Sequence, residues 1–265
     1  MAAHSNAVSK ADGPQSPLAF LVLTIFCAVP FWLLAELFDA EIMPGLPVSA
    51  LMVFAPAGAA FALRLRESGL AGAGRLATRV FDAPRVTSWI WYLPALFLMP
   101  AVSIAAFVVS SLAGVDIPPP DLQPAKLAML AAIFFVAAAL EEIGWVGYAL
   151  DPLQERVGEV RAALTIGVVW VVFHLAALIQ VGRSAEWIFW WAVGTLAIRI
   201  FMTRLYNAAG ASVFLVSLFH ASQNVSWQAY PVRGSHYDPR LFGALFVLCA
   251  LVAFAMRRPS NSRSA

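Results

Sequence analysis

The stretch Lys126-LAMLAAIFFVAAALEEIGWVGYA-Leu150 decides how the rest of the chain is read. It is a run of 25 residues whose apolar character is broken at one place, by Glu141 and Glu142 side by side. About 20 apolar residues are enough for a helix to cross the hydrocarbon core of a bilayer. A barrel strand would show about ten residues of alternating character, and no alternation is present. A carboxylate in hydrocarbon costs several kcal/mol, so one that occurs there faces the interior of a bundle. The stretch therefore reads as a transmembrane helix with a polar site beside it.

Working outward, the same kind of run recurs along the chain. The expected spans are Pro17–Phe38, Leu46–Leu63, Ser88–Ala113, Lys126–Leu150, Ala162–Gln180, Glu186–Leu205, Ala211–Trp227 and Leu241–Met256. The breakers fall between them, at Pro44-Gly45, Pro118-Pro119-Pro120, Gly182 and Gly210. The composition agrees: 61% of residues are hydrophobic and 12% charged. Soluble domains carry roughly 25% charged residues. The fold class expected is all-α, a polytopic membrane bundle of about eight transmembrane helices. Residues 1–16 form a polar tail expected to be disordered, residues 17–257 the transmembrane domain, and residues 258–265 a short C-terminal tail.

A net charge of +2 gives no reason to expect nucleic acid as a partner; membrane lipids are the expected surroundings. Cys27 and Cys249 stand alone in apolar runs and read as small buried hydrophobes. Position along the chain is the informative property of the charges. With eight spans and the N-terminus inside, every Lys and Arg but Lys126, Arg183, Arg233 and Arg240 falls at the cytoplasmic ends. Asp39, Glu41, Asp116, Asp121 and Glu186 lie on the other side. This is the bias that orients membrane proteins, and it predicts both termini in the cytoplasm. The membrane expected is a bacterial cytoplasmic membrane.

Inside the spans, the ionisable residues with chemistry of their own are Glu141, Glu142, His174 and His220. Counting residues from the cytoplasmic boundary puts Glu141 roughly 14 Å deep, His174 roughly 18 Å and His220 roughly 15 Å. Three spans thus place polar groups at one level. Asn224 lies four residues beyond His220 and shares its helix face. A Glu and a His can hold and deprotonate a water. A second His and an Asn amide can stabilise an oxyanion. Alternatively Glu141, His174 and His220 could hold a divalent metal, zinc above all, with water in the open position. Ser217 and Ser222 flank His220 but read as helix back-bonding or packing residues.

These residues resemble a known set of motifs. Glu141-Glu142-Ile143-Gly144-Trp145-Val146 resembles the EExxxR motif of the CPBP membrane proteases (CAAX prenyl protease and bacteriocin-processing, or Abi, family). Trp170-Val171-Val172-Phe173-His174 resembles the second motif, FxxxH, with Trp at the Phe position, and His220-Ala221-Ser222-Gln223-Asn224 matches the third, HxxxN. The resemblance covers roughly residues 125–226, including the Leu205-Tyr206-Asn207 turn expected before the seventh span. It implies an eight-helix intramembrane endopeptidase acting on membrane-associated proteins or peptides. Glu141 and His174 would activate water, and His220 and Asn224 would serve as oxyanion or metal partners. Cleavage is expected near the cytoplasmic half of the bilayer.

One departure stands out. The motif Arg is Val146, four residues after Glu142, so Glu142 needs another cation, such as Arg199, or must be protonated. A non-catalytic immunity or scaffold relative, or a transporter with a Glu/His proton relay, would also use buried polar groups. No repeat of broken helices supports the transporter.

Overall fold

The structure is a computed structural model that describes residues 15–38, 40–43 and 46–255. Apart from Gln15 and Ser16, the expected N-terminal tail lies outside the described residues, as does the C-terminal tail. Eight long helices make up the bundle: α1 (Pro17–Leu37), α2 (Phe54–Thr78), α3 (Tyr92–Leu112), α4 (Pro124–Gly144), α5 (Glu159–Gln180), α6 (Ala185–Ala208), α7 (Val213–Ala229) and α8 (Pro239–Ala255). Among the described residues six segments are long and apolar enough to cross a membrane, and α7 and α8 are shorter at 17 residues each. The all-α membrane bundle expected from the sequence is what forms.

Local signals set the helix ends. Pro17 and Pro124 open α1 and α4, where a missing N–H costs nothing. The hydroxyls of Ser16, Ser184 and Ser212 accept from backbone N–H groups three residues on. Asp82 adds a charged clamp on α7: its carboxylate accepts from the Ser212 hydroxyl and from the backbone N–H of Val213 and Phe214. A carboxylate there also complements the positive end of the helix dipole.

The second span differs from expectation. Leu46–Pro47 pairs with Glu41–Met43 as a two-stranded antiparallel hairpin, and Val48–Val53 is a 3-10 turn. The helix proper begins at Phe54 and runs on to Thr78 through what reads as a basic connection. Its far half interleaves good helix formers, among them Leu70, Ala71, Ala73, Arg75, Leu76 and Ala77, with the poor ones Gly69, Gly72 and Gly74. The course changes at Gly69, whose φ of 63° marks a kink that a residue without Cβ accommodates. Leu205-Tyr206-Asn207 likewise belongs to the last turn of α6 rather than to a turn before α7.

In the packing, α4 lies against α2 and α7, α5 against α1 and α6, α8 against α6, and α3 against α7. The α1–α2 and α6–α7 contacts close a ring of six helices, within which α4 and α5 face each other across a gap. Helix α7 is walled in by protein: Val213, Leu215, Val216, Ser217 and Phe219 are fully buried. That shielding explains why α7 can carry His220, Gln223, Asn224 and Gln228 and still sit at membrane depth.

Candidate active site

Helix α4 reaches the centre of the ring at Glu141, and its close approach to α2 fixes it there. A Cβ at Gly144 would lie 2.6 Å from the Pro56 carbonyl oxygen, so only glycine allows α2 to pass this close. After Gly144 the helix widens into a π turn, Trp145–Leu150, before the short helix Asp151–Val157. Such turns are rare and concentrate at functional sites.

The two glutamates point to different surroundings. Adjacent helical residues project about 100° apart, so they cannot share a face. Glu141 lines a cavity of about 750 Å³, together with His174, His220 and Asn224. The four residues read from sequence as one site are therefore brought together. Glu142 does not line the cavity and is completely buried. Arg199, from α6, sets one guanidinium nitrogen 2.8 and 3.0 Å from its two oxygens. The cation missing at position 146 is supplied from another helix. Val146 is itself buried, at 4% exposure.

Hydrogen bonds fix the ring nitrogens. His220 Nδ1 lies 2.9 Å from Glu142 Oε1. A carboxylate ion-paired with Arg199 can only accept, so Nδ1–H donates and Nε2 is left for the cavity. His174 Nδ1 lies 2.9 Å from the Trp170 carbonyl oxygen. A carbonyl also only accepts, so His174 presents Nε2 as a lone pair in its neutral form.

Two tryptophans complete the site, and sequence reasoning missed both. The indole N–H groups of Trp170 and Trp145 donate to Glu141 Oε2 at 2.9 and 3.3 Å. Trp170 also carries the Arg199 guanidinium over its ring, 4.6 Å from the centroid. The signal was present as the Trp at the Phe position of the second motif, and as the four-residue spacing from Glu141 to Trp145. Gly167 lies where α5 meets α6, and a Cβ there would sit 2.9 Å from the end of the Leu196 side chain and 3.5 Å from Arg199 Cβ.

The serines are spoken for. Ser217 donates to the Val213 carbonyl and Ser222 to that of Leu96, both at 2.9 Å. A resident metal would need several ligands around one point. Among the described residues no group of three His, Cys, Asp or Glu is so gathered. One Glu141 oxygen holds two indoles, and each histidine bonds an acceptor through Nδ1 and keeps Nε2, the orientation in which histidines also bind metals.

Comparisons with known proteins point to the same segment of the chain. The family model described as type II CAAX prenyl endopeptidase Rce1-like matches residues 123–226, the segment that holds all three motifs. The chain is also similar to the CAAX prenyl protease 2 of Methanococcus maripaludis, 28% identical over 182 residues. That alignment covers 60% of this chain and 64% of the relative's length. Residues 123–226, the motif-bearing core of this membrane protein, are thus similar to the type II CAAX prenyl endopeptidases.

Proposed function

We propose that the chain is an intramembrane endopeptidase that cleaves membrane-associated proteins or peptides with water as the nucleophile. The observation that carries this reading is the clustering of Glu141, His174, His220 and Asn224 on one cavity, with Glu141 anchored by two indole donors. Both donors sit on Oε2, which leaves Oε1 to take a water's proton. His174 Nε2 accepts the water's other hydrogen and aims its lone pair. The attacked carbonyl becomes an oxyanion, met by the Asn224 amide and by His220 Nε2 when that nitrogen carries a proton. As the tetrahedral species collapses, the proton held by Glu141 passes to the departing amine. Glu142 and Arg199 act through His220 by holding its ring.

Cleavage of a membrane-anchored peptide by the purified protein in lipid nanodiscs, read by mass spectrometry, tests this. Wild type should cleave, Glu141→Gln and His174→Ala should not, and a strong chelator should leave the wild-type rate unchanged. Full activity in Glu141→Gln, or inactivation by a serine-directed reagent, overturns the mechanism. A wild-type protein that cleaves nothing returns the reading to a scaffold or immunity protein.

A further inference from the structure

The cavity that holds the site is blocked at one end and open at the other. Toward the end where α1 begins, Phe20, Trp145, Tyr148 and Phe173 form a plug directly beyond Glu141. All four are completely buried. The ring of Phe20 lies 5.4 Å from those of Trp145 and Tyr148, and Trp145 lies 5.6 Å from Phe173.

Beyond the plug a polar floor seals the same end. The Tyr148 hydroxyl donates to Glu67 at 2.6 Å. Arg79 donates to the Tyr206 hydroxyl, which donates to Asp151. Gln154 and Asn207 exchange amide hydrogen bonds. A polypeptide could reach Glu141 from here only by breaking both layers.

At the opposite end the described residues form no fully buried plug: Trp191, Trp227 and Tyr237 line the cavity and are each partly exposed. Its lining continues from His174 through Ala177 and Val181 to Arg183, and it takes in Pro47 of the hairpin and Ser235 beyond α7. This is the end with few cations. The blocked end carries Arg64, Arg66, Arg75, Arg79, Arg85, Arg156, Arg161 and Arg204. A Lys/Arg excess of this kind marks the cytoplasmic side.

Resting on the peptidase reading, we propose that substrates reach Glu141 and His174 from the extracytoplasmic side. The substrate class is then a polypeptide segment already delivered to that side, secreted or anchored in the outer half of the bilayer. The scissile bond still meets Glu141 near mid-membrane; what changes from the expectation is the side from which the substrate enters. A substrate confined to the cytoplasm is excluded as long as the aromatic plug stays in place.

Accessibility of engineered thiols tests the side independently of activity. In a Cys27→Ala/Cys249→Ala background, Val181→Cys and Ser235→Cys mark the mouth, and Ala77→Cys marks the arginine-rich end. A sulfonated, membrane-impermeant maleimide is applied to right-side-out and to inverted vesicles. The mouth positions should label at least tenfold faster in right-side-out vesicles, and Ala77→Cys at least tenfold faster in inverted ones. The reverse pattern overturns the proposal. Modification at Val181→Cys should also lower cleavage at least tenfold, and unchanged turnover after full labelling rejects this mouth as the route. Should Val181→Cys fold poorly, Ser235→Cys reads the same mouth. If the parent protein cleaves nothing, the peptidase reading fails while the labelling still decides which way the cavity faces.

Discussion

The two sides of α4 meet at adjacent residues and are built on opposite terms. On the cavity side, Glu141 is held by neutral indole donors and keeps an oxygen for chemistry. On the packed side, Glu142 is sealed off, its oxygens bonded to Arg199 and His220. Among the described residues Glu141 has no ion-pair partner, whereas Glu142 is tied to one and so made rigid. On the proposed mechanism the pair is one acid–base group and one strut.

Removing the reactive member should have the largest effect. Glu141→Gln keeps the shape and the indole bonds but removes the base, and general acid–base contributions run to roughly 10²–10⁴ in rate. Turnover should fall by that much while thermal unfolding in detergent stays unchanged. An unfolded Glu141→Gln would mean that both carboxylates are struts.

Next comes the strut's partner. Arg199→Met strands a buried charge, a loss of roughly 3–5 kcal/mol when one member of a buried pair is removed. Adding Val146→Arg, one helical turn from Glu142, should recover part of that stability, since it restores a cation at the family's own position. Val146→Arg alone should destabilise, because Val146 is buried and Arg199 already fills the role. Denaturant melts of the three variants read this directly. Recovery by Val146→Arg would show that the two arginine positions are interchangeable.

A smaller effect sharpens the reactive side. Trp170→Phe restores the motif residue but deletes the shorter indole bond to Glu141. Hydrogen bonds to charged groups are worth roughly 1.5–3 kcal/mol, so turnover should drop about tenfold or more, while KM changes little. Smallest of all, Ser222→Ala removes one bond to a backbone carbonyl and should leave the cleavage rate within about twofold, with at most roughly 1 kcal/mol lost in stability.

Much of this was legible in the sequence, for identifiable reasons. Length and apolarity alone mark the eight helices, because a bilayer demands both. The shared depth of Glu141, His174 and His220 foretold one cavity, and the missing cation at Val146 pointed to Arg199. The beginning of α2 was misread because Leu46–Val53 is apolar enough for a span; hairpin pairing, which hydropathy does not register, takes its first residues. The tryptophans escaped notice because an aromatic residue in an apolar helix reads as packing. Their donor role appears only when α4 and α5 are set side by side.

Asp82 has a mechanical consequence. By gripping the first turn of α7 through three hydrogen bonds, it makes that end a pivot and the rest of the helix a lever. From Phe214 to Asn224 the arm is roughly 15 Å long. A tilt of about 4° at the pivot would carry the Asn224 amide by about 1 Å, a misplacement able to cost roughly a hundredfold in rate. On the proposed mechanism, one loop carboxylate outside the cavity thus sets the aim of the oxyanion donors.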